Sequence, residues 1–129
     1  MRTISIAALA AAALIAAVPA LAADPAKEIS VAAAHANLAS QAKSLGGIHL
    51  HLHHAVNCLV GPGGTGYDDN ELDPCSGMGD GAIPDTSDPA KKKLLQEALD
   101  KAQQGLSEKD PYAAAKAATE TQSILKKAM

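Results

Sequence analysis

In three places an aspartate followed directly by a proline opens an alanine-rich stretch with lysines: Asp24-Pro25, Asp88-Pro89 and Asp110-Pro111. The aspartate carboxylate can accept from the free N–H groups of a helix's first turn. Proline at the first helical position lacks only an N–H that has no partner there. Alanine and lysine then continue the helix at little conformational cost. The pattern predicts an all-α fold, a small bundle of three or four helices, with helices over about 25–60, 89–105 and 110–128.

The first of these segments carries an apolar repeat. Val31, Leu38, Leu45, Leu52 and Leu59 recur every seven residues, with Ala34, Ile48 and Ala55 three residues after members of the series. Such a seam packs against neighbouring helices. Gly46-Gly47 interrupts it, at roughly 1 kcal/mol per glycine relative to alanine. The series keeps its phase across the pair, so the expectation is one long helix kinked at 46–47, or two helices nearly in line. Ile48, Leu50 and Leu52 alternate with His49, His51 and His53, which also fits a half-buried strand; the seven-residue series favours helix.

Between Gly61 and Asp88 the pattern stops. Glycines at 61, 63, 64, 66, 77, 79 and 81, with Pro62, Pro74 and Pro84, predict a long loop carrying seven acidic residues and no basic one. Leu94, Leu95, Ala98, Leu99, Ala102 and Leu106 then mark an amphipathic helix, bounded by Gly105 and Asp110-Pro111. Ala113, Ala114, Ala117, Ala118, Ile124, Leu125 and Ala128 mark the last. With no Phe or Trp, burial must come from aliphatic side chains and many alanines, which cover little area each. A staple is therefore expected. Cys58 and Cys75 would supply it as a disulfide tethering the loop, which in the chain-entropy picture stabilises by about 3 kcal/mol.

The setting comes from the start of the chain. Met1-Arg2-Thr3, the apolar run Ile4–Val18, Pro19 and Ala20-Leu21-Ala22 read as a secretory signal peptide over 1–22. A single helical domain over 23–129 would then be periplasmic or secreted, where disulfides persist, with no membrane span after cleavage. Arg2 is the only arginine. Without it, ten lysines face fourteen acidic residues, a net charge of −4. That balance argues against nucleic acid as a partner.

All five histidines lie in the first helical segment: His35, His49, His51, His53 and His54. Neutral imidazole suits Zn, Cu and Ni, so the cluster predicts a transition-metal site. On a helix His49 and His53 are one turn apart on the same side, while His51 and His54 form a second pair on another side. The candidate ligands are therefore His49, His53, His51 and His54. His35 would lie about 21 Å from His49 along one straight helix, and is set aside as a non-ligand. Each pair offers two ligands where a closed zinc site has four. The others would come from the acidic loop (Asp68, Asp69, Glu71, Asp73, Asp80), from Met78, or from a second copy in a homodimer.

Other chemistry finds less support. His49-x-His51-x-His53-His54 resembles the His-x-His-x-Asp-His signature of metallo-β-lactamase-like hydrolases, but His53 replaces the aspartate and the resemblance ends after six residues. Gly61-Pro-Gly-Gly-Thr-Gly66 lacks the lysine of a phosphate loop, and Pro74 stands where an EF-hand needs glycine. Haem is argued against by the absence of Cys-x-x-Cys-His and of histidines on two segments. No serine sits in a nucleophile context, so no enzyme activity is expected. The sequence therefore predicts an exported, non-enzymatic transition-metal binder that buffers or senses its ion. The alternative is a metal-free interaction module using the acidic loop or a helical face to bind a protein partner or respond to pH.

Overall fold

In the computed structural model, which describes residues 22–129, Asp24, Asp88 and Asp110 each cap the helix that follows. Asp24 accepts from Lys27 N at 3.0 Å, Asp88 from Ala90 N at 2.8 Å, and Asp110 from Ala113 N at 2.8 Å. Among the described residues the helices are α1 (Pro25–Gln41), α2 (Leu45–Val60), α3 (Ala82–Asp85), α4 (Pro89–Ser107) and α5 (Pro111–Ala128), and there is no strand. The expected signal peptide lies outside the described residues save for Ala22.

The segment over 25–60, expected as one helix or as two nearly in line, is two helices that are not in line. α1 ends at Gln41, and Ser44 caps α2 by accepting from Gly47 N at 3.1 Å. The break therefore falls at Ala42–Ser44, and the glycine pair lies in the first turn of α2. Glycine is tolerated there because the N–H groups of a first turn have no intrahelical partners to lose. The chain doubles back through the three-residue connection, so α2 packs along α1 instead of continuing it. The strand alternative for 48–53 falls with this, since those residues lie inside α2.

Doubling back also breaks the seven-residue seam. Leu52 and Leu59 are fully buried, but Leu38 is 46% exposed and Ala34 lies on the surface. α1 instead buries Ile29, Ala32, Ala33, Ala36 and Ala39. Phase carries across a helix only while it stays one helix. The alanine stripe allows α1 to lie close against both α2 and α5.

α4 and α5, joined by residues 108–110, pack against each other, with α4 also on α2. Gly105, expected to end α4, lies buried within it. A Cβ there would come within 2.7 Å of Leu52 Cδ1 and 3.2 Å of Ala117 Cβ, so its missing side chain lets three helices meet. Ile29, Ile48, Leu52, Leu59, Leu95 and Leu125 are the largest buried aliphatics, each contributing about 1.5–3 kcal/mol.

The connection from α2 to α4 is mostly turns, with the four-residue α3 near its end. Gly61 (φ 66°) and Gly81 (φ 114°) lie where its two ends pass each other: a Cβ on Gly81 would sit 2.6 Å from Gly61 N. The expected disulfide joins Cys58 near the end of α2 to Cys75, which lies against the Glu28 carbonyl of α1. No helix of the described residues is long and apolar enough to cross a membrane.

Candidate metal centre

The fold-back between α1 and α2 decides the histidine geometry. His35 and His51 stand eight residues on either side of Lys43, so folding about the connection brings them opposite each other. Their Nδ1 atoms are 3.4 Å apart. His54, one turn beyond His51 on α2, closes the group, with ring centroids 5.0 Å from His35 and 5.7 Å from His51. One ligand nitrogen from each of the three lies within 4.8 Å of the other two.

The His35–His51 distance suits a metal. Two nitrogens bound at about 2.0–2.1 Å to a tetrahedral ion are roughly 3.3 Å apart, close to the His35–His51 separation. Protonation also favours it, because ligating imidazoles must be neutral. Burial lowers the His35 pKa from the usual 6.5, and repulsion from His54 and His51 adds to the shift. Burial likewise lowers His54, reinforced by His51 and opposed by the Glu71 carboxylate. His54 Nδ1 is buried with no hydrogen-bond partner. A nitrogen left so has lost water without gaining a donor, a cost that an ion would relieve.

His51 and His54 thus join His35, the histidine the straight-helix expectation had set aside. His49 and His53 are not brought into this group. His53 Nδ1 lies 3.5 Å from Asp68 Oδ2, and His49 Nε2 is buried without a partner. His35 could have been found from Ser44 as a helix cap, since a turn just before it places residues equidistant from Lys43 face to face. A second cluster, Cys58, Asp73 and Cys75, is also compact, but its sulfurs are joined to each other. Metal binding needs free thiolates, so this cluster is structural.

Asn57, fully buried, holds the acidic segment beside the histidines. Its Nδ2 donates to the carbonyls of Asp68 (3.0 Å), Leu72 (3.3 Å) and Glu71 (3.4 Å), and its Oδ1 accepts from Asp68 N at 2.9 Å. Asn57 lies one helical turn beyond His53 on α2, and its role as the anchor of this segment has no local signature in the sequence. Glu71 Oε2 consequently lies 3.8 Å from His54 Nε2. Comparison with protein families, with curated proteins and with solved structures finds no match to this chain.

Proposed function

We propose that this protein binds a divalent transition ion, Zn, Cu or Ni, at His35, His51 and His54, and serves as an exported, non-enzymatic buffer or sensor of that ion. The observation that carries the reading is three imidazoles on two helices with ligand nitrogens within 4.8 Å of one another. Three nitrogens leave room for a fourth ligand, so the ion can exchange instead of being locked into a closed structural site. Export is supported by the leader-like start of the sequence and by a disulfide of the kind that oxidising compartments sustain.

Calorimetric titration of the oxidised protein with zinc, copper and nickel salts tests this. One ion per chain is expected to bind, with affinity at least a hundredfold weaker in His35→Ala and in His51→Ala. His49→Ala/His53→Ala is expected to keep most of the affinity. Loss of binding in that double variant with retention in His35→Ala would overturn the assignment, and no binding by the parent protein would overturn the function.

A further inference from the structure

Glu71 is outside the three-histidine set, yet it is the one carboxylate paired with a member of that set among the described residues. We propose that Glu71 is the outer carboxylate of the metal centre: it receives the Nε2–H of His54, leaves Nδ1 to the ion, and so makes ion binding tighten further the Asp68–Leu72 segment that Asn57 anchors. The inference rests on metal binding at His35, His51 and His54.

An imidazole that gives one nitrogen to a metal carries its proton on the other, and metal-bound histidines characteristically donate that proton to a carboxylate or carbonyl. His54 has this division already. Nε2 faces Glu71, while Nδ1 is buried and unpartnered. Coordination withdraws charge from the ring and makes Nε2–H a stronger donor. The present 3.8 Å separation then closes by about 1 Å to a charge-assisted hydrogen bond.

Little else has to move. Asn57, three residues beyond His54 on α2, already bonds the backbone on both sides of Glu71. The Glu71 backbone is thus referenced to the helix that carries His54, and adjustment is left to its partly exposed side chain. His53 and Asp68 form a parallel pair on the same segment, but His53 is outside the set. Asp68 is therefore the internal control, and Glu71 a positioning residue whose effect passes through His54.

Zinc chloride titrations of the oxidised protein, Glu71→Ala, Glu71→Gln, Asp68→Ala and His35→Ala, with amide exchange over residues 66–73, test the proposal. Glu71→Ala is expected to lose about ten- to a hundredfold in affinity, the range for such outer partners. Glu71→Gln, still able to accept from Nε2–H, recovers most of that loss, and Asp68→Ala binds as the parent does. Zinc slows exchange at 68–72 in the parent and fails to do so in Glu71→Ala. Parent-like binding by Glu71→Ala, or unchanged exchange on adding zinc, overturns this proposal while loss of binding in His35→Ala leaves the site standing. No binding by the parent overturns both.

Discussion

α1 brings two polar side chains inward, Glu28 near its start and His35 seven residues later, and the two surroundings work in opposite senses. Glu28 is only 1% exposed. One carboxylate oxygen accepts from Gly81 N at 3.2 Å and the other has no partner. Burial first, then the charge of Asp85, raise its pKa from 4.5 to about 7, with Asp73 and Asp24 adding to the rise and the Gly81 bond opposing it. Around His35 burial acts first again, but it lowers the pKa, and the neighbours are imidazoles. Both corners penalise charge. They differ in how charge is shed: the carboxyl takes a proton, whereas the imidazoles give theirs up and keep lone pairs of the kind a metal ligand needs.

The disulfide belongs to the Glu28 side, since Cys75 lies against the Glu28 carbonyl. Cys58→Ser/Cys75→Ser is expected to lose about 3 kcal/mol of stability in denaturant melts, by the unfolded-state loop term. Amide exchange should accelerate more around residues 75–81 than around the histidines. Uniform acceleration would mean that the two corners are not separable.

Glu28→Gln removes the titrating group and keeps an oxygen for Gly81 N. Because the folded pKa lies above the ordinary value, the carboxyl favours folding fully below about 4.5, and that contribution fades as pH rises through about 7. The variant is therefore expected to be more stable than the parent at pH 8, by on the order of 2 kcal/mol, and to lose that advantage at pH 5. Chemical denaturation at the two pH values measures it, and an equal difference at both would remove Glu28 as the source.

The imidazole corner has the reverse sign. His35 and His54 are lowered from 6.5, so their contribution is full above that value and fades as pH falls through it towards their folded pKa values. Zinc at a hundred times its dissociation constant should add about 2.7 kcal/mol at pH 7.5. Thermal melts at pH 5 should show that gain shrinking as protons compete for the nitrogens. Glu28→Gln should leave the zinc effect at pH 7.5 unchanged, which sharpens the separation between the corners.

The smallest effect is expected away from both. Lys101 Nζ and Glu120 Oε2, 2.9 Å apart, link α4 to α5 at the surface. Lys101→Ala should cost about 0.5 kcal/mol or less in the same melts and should alter neither pH limb. A larger loss would show that the α4–α5 pair governs stability more than either corner does.

Much of the fold was legible because its determinants are local. An Asp-Pro cap acts within one helical turn, so Asp24, Asp88 and Asp110 announce the starts of α1, α4 and α5 from the sequence alone. The disulfide followed from an even pair of cysteines read together with the leader-like start of the sequence. The same local reading misled at Gly46-Gly47 and Gly105, because a glycine's lost propensity says nothing about its neighbours. Gly47 lies at a cap, where a Cβ would come 3.2 Å from Ser44 Oγ, and Gly105 lies where helices touch.

By itself, then, the sequence determined the helical class, the staple and the concentration of imidazoles on one stretch of chain. Tertiary structure decided which imidazoles meet. His35 lies 3.4 Å from His51 only because Ser44 ends one helix and starts another that returns along it. It likewise buried Glu28 among other carboxylates from segments distant in sequence. Local propensity acts over about one turn, whereas a site built across two helices depends on how the chain folds back.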